Sequence, residues 1–415
     1  MRVLWIVNIL FPEAAKLLGL HNDFTGTGGW LLGAADALSC KDEIEIGVLC
    51  ATPHVRELRV LNGYSMKYYV IPSNDSDYRI TSYMREIDRI FKPDVVHVHG
   101  TELPYGEMWL KVCSSKNVVV SIQGLVSVIA RYYFAGLSKK DVLFNMTPHD
   151  FLRKSLFGSY RQMVKSGHTE INVIKKVQHV IGRTSFDKAH VLSINPSVTY
   201  HFCNETLRDP FYDGRWSYST CSKHTIFVSQ ATSPIKGLHM VLRVLPLVQK
   251  QYPDTTLRIA GKDITKSDSI NTWMQRTGYG KYIGRLISKL GLCERVIFTG
   301  PLNAKQMKDE YLNANVFVCP SSIENSSNSL AEAQILGVPS IAAFVGGIPD
   351  MISGSDCEKL YRFEEVEMLA FEICEMFKES SSIDNNQMTS EAHLRHNRND
   401  NTNRLVEIYN TITRL

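Results

Sequence analysis

The alternation of short apolar runs with longer stretches of helical period is the feature that most constrains how this chain can fold. In the first 200 residues, apolar runs lie at 3–9, 44–50, 67–71, 95–98, 118–122 and 180–181, with helix-like stretches such as 29–38 and 82–91 between several of them. Short apolar runs that alternate with helical patterns are typical of βαβ units. They predict a parallel, doubly wound α/β sheet.

The alternation stops at a turn-rich, aromatic stretch over residues 209–215 and then begins again. The second half has strand candidates at 225–229, 256–260, 296–298, 316–319 and 340–342, and helix candidates at 238–251, 283–290, 305–312 and 330–336. Two successive doubly wound halves predict a ligand-binding cleft between them. We therefore predict an N-terminal domain over 1–210, a C-terminal domain over 211–385, and a tail over 386–415 that ends in a helix and returns to the N-terminal domain.

Composition excludes several classes of protein. The 415 residues are 44% hydrophobic and 21% charged, which is an ordinary globular balance for a chain of two-domain length. The net charge of +4 is too small for nucleic-acid binding to be the main function. The nine cysteines form no CxxC pair, so neither a zinc site nor a redox dithiol is indicated. Scattered thiols and the lack of a long apolar run predict a cytoplasmic protein, at most peripheral to the inner face of the membrane.

The most informative stretch, residues 320–333, follows a predicted strand and opens a helix. Capping residue types stand at this junction: Ser326, Ser327, Asn328 and Ser329. A helix start offers unpaired amides and a partial positive charge, which suits a phosphate. Glu324 and Glu332 bracket that start, and carboxylates accept hydrogen bonds from hydroxyls. The pattern fits a nucleotide sugar, while a capped helix with surface glutamates is the alternative that this segment alone leaves open.

Several motifs of the second half stand in the order found in one family. Glu324 and Glu332 are followed by Gly337-Val338-Pro339 and Gly346-Gly347-Ile348-Pro349-Asp350. They are preceded by Lys236-Gly237 and by the segments 296–300 and 314–321. Gly28-Gly29 and the segment 94–100 fit the first half. Over most of residues 1–375 the chain resembles glycosyl transferases group 1, which are retaining enzymes of glycosyltransferase family four. The resemblance implies the GT-B fold: two Rossmann-like doubly wound domains facing a central cleft.

The resemblance assigns donor binding to the C-terminal domain. It implies that Glu324 contacts the hydroxyls of the donor sugar and that Glu332 holds those of the ribose. Amides around Ser326–Ser329 take the distal phosphate, and Gly261 belongs to the same donor set. Lys236 neutralises the departing diphosphate, a role that suits a compact point charge. A solvated lysine before a glycine turn is the alternative for Lys236.

The chain departs from the family pattern at two positions. The stretch before Lys236 lacks the arginine that relatives carry, so we predict that Arg183, at the end of a strand, supplies that charge, with Arg208 as a second candidate. The alternative is that Arg183 pairs with a carboxylate such as Asp187. Gln123 stands where many relatives have histidine, and glutamine can donate a hydrogen bond but cannot transfer a proton.

The acceptor is assigned to the first half, with Gly28, Gly29, His99 and Gln123 as its candidate residues. An ordinary turn and an ordinary strand-end histidine are the alternatives for the glycine pair and for His99. The triplet 75–77 spells Asp-Ser-Asp, but helix capping explains it better than metal binding. The resemblance implies no metal and no cofactor, with a nucleotide-diphosphate sugar as the donor substrate.

Residues 131–168 are basic and aromatic, with seven Lys or Arg against two Asp. Such segments can lie on an anionic membrane surface, which would suit a lipid-linked acceptor. A helical excursion whose aromatic side chains pack inward is the alternative.

We interpret the chain as a retaining glycosyltransferase that moves a sugar from a nucleotide-diphosphate sugar to a glycan or lipid-linked acceptor in cell-surface polysaccharide synthesis. A non-catalytic GT-B binding protein and a nucleotide-sugar epimerase are the alternatives.

Overall fold

A computed structural model of the chain describes residues 1–20 and 29–414. Gly28, one of the predicted acceptor residues, lies outside the described residues. The chain divides into two compact units. The first unit comprises Met1–Val128, Met163–Thr206 and His396–Leu415, and the second comprises Ile129–Gln162 and Leu207–Arg395.

The sheet of the first unit has eight strands within the described residues, in the order β3-β4-β2-β1-β5-β6-β7-β8. Their bounds are β1 Arg2–Ile6, β2 Glu45–Thr52, β3 Arg59–Asn62, β4 Met66–Pro72, β5 Val95–His99, β6 Val118–Ser121, β7 His179–Gly182 and β8 Thr199–Phe202. All neighbours pair in parallel except β3 and β4. The six predicted strands are present, whereas β3 and β8 were not predicted. These two are edge strands with mostly exposed side chains, so they show no continuous apolar run.

The sheet of the second unit is parallel throughout, in the order β11-β10-β9-β12-β13-β14. Its bounds are β9 Thr225–Val228, β10 Thr256–Ile259, β11 Val296–Phe298, β12 Val316–Cys319, β13 Ser340–Ala343 and β14 Glu358–Tyr361. Five of these strands were predicted. The edge strand β14 was missed because its sequence, Glu-Lys-Leu-Tyr, is half charged.

Helices cover both sheets. Their bounds are α1 Pro12–Leu17, α2 Gly29–Ser39, α3 Asp77–Phe91, α4 Tyr105–Val112, α5 Val126–Ile129, α6 Lys139–Phe144, α7 Leu156–Lys176, α8 Ser185–Ile194, α9 Leu238–Val248, α10 Ile270–Gln275, α11 Gly278–Lys289, α12 Ala304–Asn313, α13 Asn328–Leu336, α14 Val366–Glu379, α15 Asn386–Arg395 and α16 Arg398–Arg414. Parallel strands joined by helices give both units the Rossmann-like α/β architecture expected from the sequence. In residues 1–20 and 29–414, none of the helices combines the length and the apolar character needed to cross a bilayer.

Residues 129–162 belong to the second unit, although they lie within the predicted domain 1–210. Leu137 and Val142 are buried in the core of that unit, and Phe134 and Phe157 pack against it. The predicted N-terminal domain 1–210 is therefore corrected, since it does not include residues 129–162. Their apolar side chains pack into the core of the second unit, although they are adjacent in sequence to the first. The other division falls between residues 206 and 207, close to the predicted 210.

The predicted tail consists of two helices with different partners. Helix α15 belongs to the second unit and α16 to the first. Tyr409 of α16 is fully buried, and its hydroxyl accepts a hydrogen bond from Trp5 Nε1 at 3.0 Å. The same hydroxyl lies 2.6 Å from His97 Nδ1. One phenol group therefore joins the last helix to strands β1 and β5.

We expect Tyr409→Phe to destabilise the first unit, because both Trp5 and His97 lose a buried hydrogen-bond partner. The expected cost is about 1–3 kcal/mol, the penalty for leaving buried polar groups unsatisfied. Thermal unfolding followed by circular dichroism measures it, with Tyr64→Phe as the control since Tyr64 is 100% exposed. Equal unfolding temperatures for the two variants would contradict this role of the hydroxyl.

Candidate active site

The loops that follow the neighbouring strands β9 and β12 are fixed against each other by a glycine. Gly237 has a φ of 70°, and a Cβ there would lie 1.7 Å from the carbonyl oxygen of Pro320. Glycine alone combines this backbone conformation with so close an approach. The Ser322 amide also donates to the Ile235 carbonyl at 2.8 Å. These two contacts pack the turn that carries Lys236 against the loop that leads to Glu324.

The loop after β13 fixes the same region from the other side. Gly346 has a φ of 52°, and a Cβ there would lie 1.9 Å from the carbonyl oxygen of Glu324. The Gly347 amide donates to that oxygen at 3.1 Å. Three strand-end loops therefore meet at Glu324, because the carboxyl ends of parallel strands share one edge of the sheet.

Lys236 and Glu324 form an ion pair at this meeting point. The Nζ–Oε1 distance is 2.6 Å, and the Ser321 hydroxyl donates to the same carboxylate at 2.7 Å. Burial works to lower the pKa of Lys236, but the charge and hydrogen bond of Glu324 outweigh it and raise the pKa above its ordinary value. The lysine is therefore a cation at neutral pH. The side chains are 30% and 16% exposed, so a ligand can reach both.

The start of helix α13 lies four residues beyond Glu324. Ser327 is the N-cap, and its hydroxyl accepts the amide of Leu330 at 3.3 Å. The amides of Asn328 and Ser329, in the first turn, have no intrahelical acceptor. Together with the helix dipole they can bind a negatively charged group. Ser326, Asn328 and Ser329 are partly exposed, as a ligand-binding helix start requires.

Glu332, one turn further along α13, is buried and paired with Arg208. Its Oε1 accepts from Arg208 Nε at 2.8 Å and from Nη2 at 2.7 Å. Burial raises the pKa of Glu332, and the charge of Arg208 works against that rise. The guanidinium also lies over the Phe211 ring, 4.7 Å from its centre. Sequence reasoning missed this pairing, since the two residues are 124 positions apart and no local pattern links them.

Gly261 follows β10 and therefore lies on the same edge of the second sheet. It has a φ of 105° and exchanges two backbone hydrogen bonds of 3.1 Å with Gly300, which follows β11. Its role as a donor contact stays a prediction.

Arg183 lies in the first unit with its charge already balanced. One guanidinium nitrogen pairs with Glu205, and another donates to the carbonyl oxygens of Ile122 at 3.2 Å and Gln123 at 3.4 Å. The alternative that Arg183 pairs with a carboxylate is therefore confirmed, with Glu205 in place of Asp187. From Arg183, Asp187 accepts the backbone amide and not the guanidinium. The second candidate, Arg208, lies in the second unit and pairs with Glu332.

The remaining acceptor candidates lie at the carboxyl edge of the first sheet or beside it. His99 ends β5, buried, with its ring centre 3.7 Å from that of His97 and 4.2 Å from that of Trp5. Gln123 follows β6, and its buried Nε2 has no hydrogen-bond acceptor within residues 1–20 and 29–414. Gly29 is the first residue of α2. His99 and Gln123 thus lie at strand ends, where such sheets bind ligands, and their role toward an acceptor stays a prediction.

The Asp-Ser-Asp triplet caps a helix, as predicted. The Ser76 hydroxyl accepts the Arg79 amide at the start of α3, and Asp75 forms an ion pair with Arg79 at 3.2 Å.

Comparisons with known proteins agree with this architecture. Residues 222–379 match the family profile described as glycosyl transferases group 1. D-inositol 3-phosphate glycosyltransferase of Mycolicibacterium smegmatis is 37% identical over 193 residues, which are 45% of this chain and 40% of that protein. Sucrose-phosphate synthase of Thermosynechococcus elongatus has a similar structure, with a TM-score of 0.71 at 13% identity over 99% of this chain and 98% of that one. HepE of Anabaena, solved with UDP-glucose, gives a TM-score of 0.67 at 14% identity over 99% of this chain and 100% of that one.

The fold is therefore GT-B, the two-domain architecture of many glycosyltransferases. The segment 222–379, which matches the glycosyl transferases group 1 profile, holds Lys236, Glu324 and Glu332. The resemblance predicted from the motifs is confirmed for that segment. The matches with curated relatives span less than half of those proteins' length.

We expect Arg208→Met to destabilise the second unit by about 3–5 kcal/mol at neutral pH, because Glu332 is left as an uncompensated buried charge. Without the arginine, the pKa of Glu332 rises further above its unfolded value. The penalty is therefore present when the carboxyl is ionised, and it shrinks as the pH falls through that raised pKa. Urea denaturation at pH 7.5 and 5.5 measures both effects.

Arg258→Met is the matched control. Arg258 pairs with Glu310 at 2.7 Å in the same unit but is 33% exposed, so its loss should cost about 1 kcal/mol or less. If both variants lost the same free energy of unfolding at both pH values, the burial of an uncompensated Glu332 charge would be contradicted.

Proposed function

We propose that this protein is a retaining glycosyltransferase that uses a nucleotide-diphosphate sugar as donor. The observation that carries the proposal is the Lys236–Glu324 ion pair, held by three strand-end loops beside the start of α13. This arrangement places the ammonium of Lys236, the carboxylate of Glu324 and the unpaired amides of α13 at one edge of a Rossmann-like sheet. Folds of this kind bind nucleotides at that edge. That HepE was solved with UDP-glucose supports a donor of this class.

Each charged group has a role in the proposal. The amides of Asn328 and Ser329 bind the distal phosphate, and Lys236 neutralises charge as the diphosphate departs. Glu324 accepts hydrogen bonds from hydroxyls of the transferred sugar, and Glu332, oriented by Arg208, accepts those of the ribose. Preorganised charge aimed at a leaving group contributes about 3–4 kcal/mol to the transition state.

The proposed reaction exchanges one bond for another at the anomeric carbon. The bond between that carbon and the diphosphate oxygen breaks, and a bond to the acceptor oxygen forms on the same face. The acceptor proton passes to the departing phosphate, which is consistent with a glutamine at position 123. We include no metal or cofactor in this scheme, because fixed amides and Lys236 supply the charge.

A screen of donors tests the proposal directly. We expect one of UDP-, GDP-, ADP- and dTDP-sugars to raise the unfolding temperature and then to release its sugar to an acceptor. A ligand at 100 times its dissociation constant stabilises a protein by about 2.7 kcal/mol. Stabilisation without turnover would favour a binding protein, and appearance of an epimerised nucleotide sugar would favour an epimerase; both would contradict transfer.

We expect Lys236→Met to lower kcat by about 100- to 1000-fold, since the developing diphosphate charge loses its cation. Nucleotide binding should weaken less than turnover, because the amides at α13 remain. The control is Lys250→Met. Lys250 is exposed and follows the C-terminal end of α9, whereas Lys236 precedes the N-terminal end of the same helix. Turnover within threefold of the wild type would contradict the assigned role.

We also propose that the segment 131–168 contacts a membrane through a hydrophobic tip. The tip consists of Leu143, Phe144, Phe151 and Leu152, which are 56%, 73%, 75% and 71% exposed. Other aromatic side chains of the segment pack inward, as the alternative predicted for them, and the membrane contact proposed here concerns only the tip.

Charges around the tip favour an anionic surface. Lys139, Lys140 and Arg153 are exposed and lie within four residues of it in sequence. Asp150 is buried and accepts hydrogen bonds from Thr147, so its charge does not face the solvent. Exposed apolar side chains in a basic segment are typical of interfacial binding. Such contact would suit a lipid-linked acceptor at the inner membrane face, and a role in cell-surface polysaccharide synthesis stays a prediction.

We expect the double variant Phe144→Ser/Phe151→Ser to lose cosedimentation with vesicles that contain phosphatidylglycerol. Wild-type binding should fall as salt rises and should be weak on pure phosphatidylcholine. Phe371→Ser serves as the control, because Phe371 is a 56% exposed phenylalanine on α14. No binding by the wild type at low salt, or equal binding by the double variant, would contradict the docking role of the tip.

A further inference from the structure

A short helix of the second unit exposes an apolar face to the solvent. Residues 260–277 connect β10 to α11, and α10 lies within this connection. Ile270, Trp273 and Met274 of α10 are 80%, 47% and 44% exposed. Because these positions are spaced i, i+3 and i+4, their side chains share one face of the helix.

The fold of α10 does not depend on this apolar face. The Ser269 hydroxyl accepts the Thr272 amide at 3.2 Å, and the Ser269 amide donates to the Thr272 hydroxyl at 3.0 Å, so a capping box stabilises the helix locally. All six residues of α10 are exposed or partly exposed. Single exposed apolar residues are normal on a protein surface, whereas three on one helix face, with a tryptophan among them, indicate a contact surface.

Helix α10 is joined to the segment that carries the hydrophobic tip. The carbonyl oxygen of Arg276, the C-cap of α10, accepts a hydrogen bond of 2.7 Å from the Thr147 hydroxyl. The carboxylate of Asp150 accepts the Gly278 amide at 3.3 Å. Thr147 and Asp150 lie between the two halves of the tip in the sequence. Two exposed apolar elements from distant parts of the chain are therefore neighbours in the second unit.

These neighbouring segments carry an excess of positive charge. Residues 139–154 and 262–285 together contain nine Lys or Arg and four Asp, a net charge of +5, whereas the whole chain has +4. The Arg285 guanidinium donates to Asn145 Oδ1 at 3.2 Å, one residue from the tip. Exposed apolar side chains in such surroundings suit an anionic lipid surface. A second copy of this chain would bring the same positive charge to the contact and be repelled.

Helix α14 offers a comparison within the same unit. Met368 and Phe371 are 43% and 56% exposed and stand at the spacing i and i+3. However, residues 364–379 contain six Glu and one Lys. An anionic surface repels such a segment, so charge distinguishes α10 from α14 where exposure alone does not.

We propose that α10 inserts Ile270, Trp273 and Met274 into the headgroup region of an anionic lipid bilayer, as a second contact next to the tip. Tryptophan suits this depth because its ring has an apolar body and a polar N–H group. The membrane as partner rests on the contact proposed above for the tip, whereas the part played by α10 rests on its own exposure and charge.

Cosedimentation with vesicles of phosphatidylglycerol and phosphatidylcholine tests the contact at low salt. We expect Ile270→Ser/Trp273→Ser to lower the affinity about tenfold, because the apolar area that leaves water on insertion is lost. Met368→Ser/Phe371→Ser is the matched control, with the same helical spacing on α14, and should bind like the wild type. All four side chains are exposed, so both double variants should fold, which circular dichroism verifies.

Tryptophan fluorescence locates the helix directly. Trp5, Trp109 and Trp216 are buried, whereas Trp273 is 47% exposed. Lipids brominated on their acyl chains quench a tryptophan that enters the bilayer. Trp273→Phe should bind vesicles nearly as well as the wild type but lose the quenching due to Trp273, so the difference between the two proteins isolates that ring. Equal quenching in both proteins would overturn the insertion of α10.

Further outcomes separate α10 from the tip and from a protein partner. If Phe144→Ser/Phe151→Ser weakened vesicle binding and Ile270→Ser/Trp273→Ser did not, the tip would stand and the role of α10 would be overturned. A wild-type dimer that the α10 variant converts to a monomer, with vesicle binding unchanged, would assign the face to a second copy and overturn the proposal as well. Sedimentation velocity measures the oligomeric state.

The donor measurement separates this inference from the proposed transferase. The shift in unfolding temperature that a nucleotide sugar gives should be equal in Ile270→Ser/Trp273→Ser and in the wild type. Its absence from both proteins would contradict the transferase, while the vesicle measurements would still decide the role of α10.

Discussion

The parallel pairing of strands is the constraint on which the chemistry of this protein depends. In a parallel sheet the carboxyl ends share one edge, so loops that are distant in sequence meet there. In the second unit this edge joins Lys236 to Glu324, 88 positions away. In the first unit the same rule gathers His99, Arg183 and Thr206 around one pocket. The two edges differ in character. The edge in the second unit exposes the Lys236–Glu324 pair and the amides of α13, whereas the edge in the first unit buries the Arg183–Glu205 pair and the rings of Trp5, His97 and His99.

Most of the fold could be predicted because its central strands are short, apolar runs bounded by turns. The exceptions share a cause. Strands β3, β8 and β14 lie at sheet edges, where partial exposure permits charged and polar side chains and removes the apolar signal. The misplaced segment 129–162 differs, since its strongly basic sequence hides the few residues, such as Leu137 and Val142, that bury it in the second core. Nothing local shows which core an isolated apolar residue will join.

The candidate site divides along a similar line. Lys236, Glu324 and the capped start of α13 could be predicted because each has a local pattern: a lysine before a glycine turn, a carboxylate in a strand-end loop, and an N-cap. The partners of Glu332 and Arg183 could not. Arg208 and Glu205 lie near the division between the units, and only the packed structure shows which carboxylate each arginine meets. The buried hydroxyl of Thr206, which has no hydrogen-bond partner among residues 1–20 and 29–414, is likewise recognisable only in the structure.

The discontinuous make-up of the first unit has a consequence for the order in which its core can close. Its sheet is complete by residue 202, but the helix that covers Trp5 and His97 is α16, at residues 398–414. All segments of the second unit lie between these two parts of the first in sequence, apart from residues 129–162. The N-terminal segments alone therefore leave one apolar face of their sheet uncovered, and that face closes only after the whole second unit has been synthesised.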